Sequence, residues 1–205
     1  LPQAKNIYQQ ILQNDPNQPN ALHLLGLIAH QMGENDVALD LITQALALKP
    51  AYTEAHVNLG NVLKDLGKPK EAEASYQRAL TLNPAYTEAH YNLGLTLKDL
   101  GKLEDALDSY HKALAINPDY VEVHNNMGIA LQDLGKLKDA LDSYHKASAV
   151  KPDYVEVHNN VGTALQRLGK LKEAAASYRK ALELKPDYAE AHYNLGNVLQ
   201  RLGRP

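Results

Sequence analysis

Residues 90–94 read His90-Tyr91-Asn92-Leu93-Gly94, and the same five residue types return at His192–Gly196. Looser copies stand at 56–60, 124–128 and 158–162, so that Asn58, Asn92, Asn126, Asn160 and Asn194 recur every 34 residues. Around each copy the apolar residues fall three and four apart, the spacing of one helical face. A polar residue repeated inside such a pattern needs a reason, and the functional reading turns on it.

The rest of the chain keeps the same period. All 12 glycines fall into two series: Gly26, Gly60, Gly94, Gly128, Gly162 and Gly196, and, seven residues later, Gly33, Gly67, Gly101, Gly135, Gly169 and Gly203. Six of the 10 prolines (Pro16, Pro50, Pro84, Pro118, Pro152, Pro186) share it, and three repeat positions hold all 12 tyrosines. This is an internal repeat, the signature of stacked supersecondary units.

Each unit reads as two amphipathic helices. One copy predicts a first helix from Tyr120 to Leu134, striped by Val123, Met127, Ala130, Leu131 and Leu134. Asp119 with Glu122 resembles an acidic capping box, repeated at Asp153/Glu156 and Asp187/Glu190, whereas Ala51 and Ala85 predict weaker caps. Gly135 suits the left-handed position that ends a helix. A second helix follows over about Lys138 to Val150 and packs through Ala140, Leu141, Tyr144 and Ala147; Pro152 stops it. Gly128 lies inside the first helix, where glycine costs about 1 kcal/mol relative to alanine. That cost implies close approach of the partner helix, here expected through small residues such as Ala140. No strand-like alternation occurs, so the fold class is all-α, with short loops that make neighbouring helices antiparallel.

Composition narrows the function. Of 205 residues 44% are hydrophobic, enough for a core, and the net charge of −3 with no basic run argues against nucleic acid or an anionic membrane as partner. Cysteine is absent, which excludes disulfides and thiolate metal sites and leans mildly towards the cytoplasm. No stretch approaches the ~18 apolar residues of a membrane span. The start, Leu1-Pro2-Gln3-Ala4-Lys5, is no signal peptide and lacks an initiator Met, so the chain reads as cut from something longer.

Leu-Gly-x-x-Leu, then Leu-Gly-Lys, then Ala-x-x-x-Tyr-x-x-Ala, then Pro is carried in one copy by Gly94, Leu97, Gly101, Ala106, Tyr110, Ala113 and Pro118. This pattern resembles the tetratricopeptide repeat family over essentially the whole chain. The resemblance implies a right-handed α-solenoid spanning 1–205, with repeats at 19–52, 53–86, 87–120, 121–154 and 155–188, a leading second helix in 1–18 and a trailing first helix in 189–205. His56, His90, His124, His158 and His192 replace the family's usual Trp or Tyr. The narrower His-x-Asn-Leu-Gly form is similar to the repeats of the protein O-linked N-acetylglucosamine transferases and related bacterial proteins. In those, an asparagine ladder lines a concave groove and grips the backbone of extended polypeptides. Carried over, the ladder is Asn58, Asn92, Asn126, Asn160 and Asn194, and Leu24 breaks it in the first repeat.

Asparagine suits that work, because a carboxamide matches a backbone N–H and C=O in pairs without reading side chains. The competing expectation is structural: the asparagines bond neighbouring helix ends and hold the repeats in register. Packing accounts for the His, Leu and Gly of the phrase but leaves the Asn without a sufficient role, which favours the binding reading. Variable residues on the same helices extend the candidate peptide-binding set to Tyr91, Lys98, Asn125, Asn159 and Tyr193, with Leu95, Asp99, Ile129, Gln132 and Asp133 nearby.

The histidine ladder invites a metal, but helices about 8–10 Å apart set two imidazoles too far apart to share zinc without other ligands. No metal, cofactor or catalytic residue is expected: every glycine is committed to the repeat, and Ser109 and Ser143 read as surface residues without a positioned base. Lys64/Asp65 and Lys98/Asp99 read as a solvated face. Arg167 and Arg201 replace Asp late in the chain, which would orient a charged peptide. The fragment is therefore read as a non-enzymatic interaction module for a polypeptide. Its rivals are a substrate-recruiting arm of a larger glycosyltransferase-like enzyme and a self-assembling scaffold. For the last, Leu1 and Pro205 occupy one repeat position, and apolar Leu195, Val198, Leu199 and Leu202 suggest head-to-tail stacking.

Overall fold

The computed structural model describes residues 2–203, so Leu1 and Pro205 lie outside the described residues. The described residues form twelve α-helices and no strand. The chain divides into two compact units, 1–102 and 103–205. The first holds α1 (Pro2–Asn14), α2 (Pro19–Gln31), α3 (Asn35–Leu48), α4 (Thr53–Asp65), α5 (Pro69–Leu82) and α6 (Thr87–Asp99). The second holds α7 (Leu103–Ile116), α8 (Val121–Asp133), α9 (Leu137–Val150), α10 (Val155–Arg167), α11 (Leu171–Leu184) and α12 (Ala189–Arg201). From α2 onward, first helices of 13 residues alternate with second helices of 14. Within each unit first helices pack on their own second helices (α2 on α3, α4 on α5, α8 on α9, α10 on α11), and successive first helices also touch: α2 with α4, α4 with α6, α8 with α10, α10 with α12.

Local chemistry explains where these helices stop. Gly135, at φ +75, holds the left-handed conformation, and the Lys136 N–H turns back to the Leu131 carbonyl at 2.8 Å, the longer bond of a Schellman motif. The matching bonds are Glu34 to Ala29, Lys68 to Leu63, Lys102 to Leu97 and Lys170 to Leu165. Second helices end before the proline turns, as their missing N–H requires.

Helix starts depart from the expected capping boxes. The first helices begin at Val121, Val155 and Ala189 with Tyr120, Tyr154 and Tyr188 as N-caps, and none makes a side-chain cap bond. Asp119, Asp153 and Asp187 therefore stand one residue too early to reach the open N–H groups. Histidine takes over the turn instead: Nε2 of His56, His90, His124, His158 and His192 donates to the carbonyl of Pro50, Pro84, Pro118, Pro152 and Pro186 at 2.7–2.9 Å.

The core is built on the second-helix tyrosines. Tyr76, Tyr110, Tyr144 and Tyr178 are wholly buried, each on the order of 4–6 kcal/mol of apolar burial before entropy is charged against it. Their rings explain the mid-helix glycines Gly60, Gly128 and Gly162. A Cβ on Gly60 would lie 2.5 Å from Cε1 of Tyr76, and one on Gly162 2.5 Å from Cε1 of Tyr178. The close approach expected at Gly128 is real, but its neighbour is the Tyr144 ring and not Ala140. Ser109 and Ser143 are likewise buried, not on the surface; each hydroxyl donates to the carbonyl four residues earlier, Asp105 and Asp139, at 3.1 Å.

Candidate functional site

Asn58, Asn92, Asn126, Asn160 and Asn194 each occupy the sixth position of a first helix, half-buried on the face where successive first helices touch. The helical phase that buries Gly60, Gly94, Gly128 and Gly162 two residues on brings the carboxamide to this boundary. There Asn58, Asn92, Asn160 and Asn194 each meet a side chain one repeat back, a partnership that sequence neighbours do not reveal.

In the first unit Asn58 Nδ2 donates to His23 Nε2 on α2 at 2.8 Å. Asn92 Nδ2 donates to Asn61 Oδ1 on α4 at 3.0 Å, and the same oxygen accepts Tyr76 Oη at 2.7 Å. In the second unit Asn160 Nδ2 donates to Asn125 Oδ1 at 3.0 Å, and Asn194 Nδ2 to Asn159 Oδ1 at 3.2 Å. Asn126 Nδ2 donates to the Glu122 carbonyl of its own helix at 2.9 Å. Each amide nitrogen is thus held from within. For Asn58, Asn92, Asn160 and Asn194, Oδ1 and the second N–H form no hydrogen bond among the described residues. A carboxamide tethered in this way offers one acceptor and one donor in a fixed direction.

The neighbours sort into three kinds. Asn125 and Asn159 are 6% and 1% exposed, so both lie beneath the face and serve as acceptors for the next asparagine. Asn159 also donates to Glu190 Oε1 at 3.0 Å, and Tyr188 Oη donates to Glu190 Oε2 at 3.2 Å. Burial, then the Glu190 carboxylate, pushes the Tyr188 hydroxyl up to about 12, keeping it a donor. Tyr91 is half-buried, whereas Tyr193 is 71% exposed and available to stack. Lys98 lies 3.9 Å from Asp99, and Arg167 Nη1 donates to the Gln132 carbonyl at 2.9 Å, closing the end of α8.

His23, Asn61 and Glu190 belong to this network although the motif does not include them. A signal for the first was present: His23 stands at the repeat position of Asn125 and Asn159. For Asn61 the signal was Val57 at that same position, which has no acceptor and forces Asn92 to look elsewhere. Among the described residues no cluster of His, Asp and Glu could hold a metal ion, and no helix is long and apolar enough to cross a membrane.

Comparison with known proteins agrees with this architecture. The family described as TPR repeat matches residues 60–101, 96–135, 130–169 and 167–203, and the one described as Tetratricopeptide repeat matches 21–54. No curated protein matches the chain. Among solved structures, MamA is 26% identical with a TM-score of 0.76, covering 81% of this chain and 97% of its own. TTC0263, a thermophilic TPR protein of Thermus thermophilus, is 26% identical at a TM-score of 0.66, covering 89% and 100%. YrrB, described as a TPR protein with an unusual peptide-binding site, is 22% identical at a TM-score of 0.77, covering 91% and 96%.

Proposed function

The chain belongs to the tetratricopeptide repeat family, whose fold is known for protein–protein interaction and peptide binding, and on that premise we propose that the asparagine face of each unit binds an extended polypeptide. The observation that carries this reading is the tethered carboxamide. With Nδ2 held from within, Oδ1 of Asn58, Asn92, Asn160 and Asn194 is aimed and unspent, ready to accept a backbone N–H. The remaining N–H can donate to a backbone C=O. Asn126 belongs to the row of the second unit; Tyr91 adds apolar contact and Lys98 charge beside the row of the first, and Tyr193 adds apolar contact beside that of the second. Asn125 and Asn159 act on the ligand indirectly, by fixing the carboxamides above them. Recognition of backbone by amides is tolerant of sequence, so the ligand class is an unstructured segment of a protein partner. The peptide-binding site described for YrrB, a protein of like fold, supports the reading. The chain itself works as a binding module and not as an enzyme.

The test is a peptide-library screen on the wild type and on Asn92→Ala/Asn126→Ala/Asn160→Ala, with folding followed by circular dichroism. Loss of binding by a folded triple variant is the expected result. If the triple variant unfolds, the single substitutions Asn92→Ala and Asn160→Ala decide. Undiminished binding by folded variants would overturn the proposal.

A further inference from the structure

One carboxamide in the row rests on a group that titrates. Asn58 Nδ2 is only a donor, so His23 Nε2 must accept at 2.8 Å; the ring proton is then on Nδ1 and is donated to Tyr52 Oη at 3.0 Å. The imidazole is 4% exposed and stands edge-on to the Tyr52 ring, centroids 4.7 Å apart at 66°. Both nitrogens are engaged, and rotation of the ring would lose both bonds.

We propose that His23 is a proton-responsive positioning residue for Asn58: protonating the imidazole turns the Asn58 carboxamide and exchanges the C=O it offers a ligand for an N–H. This rests on reading the asparagine face as a ligand site, but its first consequence is visible in the free chain. A proton on Nε2 sets two donors against each other across a 2.8 Å contact. Rotation of the Asn58 amide relieves the conflict, because Oδ1 then accepts a charge-assisted bond from Nε2–H. The acceptor that faced a ligand is consumed, and the NH2 takes its place. Asn160 and Asn194 stand on the amide oxygens of Asn125 and Asn159, which occupy the repeat position of His23 and carry no titrating proton.

The surroundings leave the response to His23 itself. α1, α3 and α4 pack on α2. Glu54 on α4 favours the protonated ring and Lys49, in the turn before α4, opposes it; burial is the largest influence and holds His23 below the ordinary histidine value. Lys5 of α1 is drawn to Glu34, and His30 of α2 to Asp65, at the far end of α2. Asp15, after α1, bonds Asn17 and Gln18, while Asp36 and Asp40 of α3 are exposed to solvent.

The experiment uses the full chain labelled with 15N, following imidazole nitrogens and asparagine side-chain amides from about pH 7.5 to about pH 4.5. His23 should be the Nδ1–H tautomer at the upper limit, and the Asn58 amide signals should move with the His23 midpoint. In His23→Asn, which installs the residue of the later repeats, the Asn58 amide should stay still; His23→Gln serves if that variant is unfolded. An Nε2–H tautomer, or an Asn58 amide silent through the His23 titration, overturns the proposal. A pool of random 12-residue peptides is the binding probe, a length of about 40 Å when extended. Wild-type binding should change about three- to tenfold through the same midpoint, the weight of one hydrogen bond, and that of His23→Asn should not. Wild-type binding unaffected by pH overturns the exchange at the ligand. Absence of binding at every pH counts against the peptide-binding reading alone, since the amide spectra then still decide whether Asn58 turns.

Discussion

The two units carry the same asparagine at the same helical position and hold it differently. In the second unit Asn160 and Asn194 each rest on the asparagine that stands 35 residues before them, giving two amide pairs, of which the Asn194–Asn159 pair ends on Glu190. In the first unit the equivalent position holds His23 for Asn58 and Val57 for Asn92; one asparagine meets an imidazole and the other swings to Asn61, 31 residues back. The direction of each carboxamide is therefore set by the variable residue beneath it and not by the asparagine alone. A near-identical repeat in this way presents rungs held by chemically different partners.

The largest effects should separate positions that the repeat makes equivalent. In the second unit Gly162→Ala drives a methyl into the Tyr178 ring, for a loss of about 1–3 kcal/mol, while Gly196→Ala meets nothing within 4 Å and should gain up to about 1 kcal/mol of helix propensity. Urea unfolding of both variants measures the difference, and a loss at Gly196 would break the account of the glycine series. Next in size, Asn159→Ala strips the acceptor from Asn194 and the donor from Glu190 at a 1% exposed site, and should cost about 1–3 kcal/mol in the same assay. Asn160→Ala, half-buried and singly bonded, should cost less stability but more peptide affinity; equal effects on both would erase the distinction between buried support and offered rung.

A finer contrast lies in the tyrosines. Tyr76 Oη donates to Asn61, whereas Tyr144 Oη is buried and without a hydrogen-bond partner among the described residues. Tyr76→Phe should therefore cost about 1 kcal/mol and Tyr144→Phe close to nothing, read as shifts in thermal midpoint. The smallest effect is that of acid on the first unit. His23 is held below its unfolded value near 6.5, so below that pH the unfolded chain binds a proton that the folded one refuses. Stability should be complete above about pH 6.5 and decline as the pH falls through it, until the folded ring also titrates. His23→Asn should flatten that slope in unfolding measured at several pH values.

Much of this architecture could be read from residue order, because the interactions responsible are local. Glycine at a left-handed helix end, proline at a stop and a three-four apolar stripe act within a few residues, and the twelve helices follow. Where the expectation failed, a competing contact a short distance away had won. Asp119 stands one residue early for a cap, and the turn is closed by His124 on Pro118. Gly128 makes room for an aromatic ring on the neighbouring helix where a small residue was anticipated. Ser143 spends its hydroxyl on its own helix.

The residues of the candidate face were legible as a periodic row, but their state was not. Sequence by itself determined that a carboxamide recurs every 34 residues on the first helices, since periodicity alone assigns it to one face. Only the tertiary structure decided what each carboxamide touches, that Asn125 and Asn159 lie beneath the row, and that His23 supports one end. The physical reason is distance along the chain. A hydrogen bond between residues 31 or 35 apart exists only after two first helices have packed, and its partner depends on the side chain that packing happens to place there.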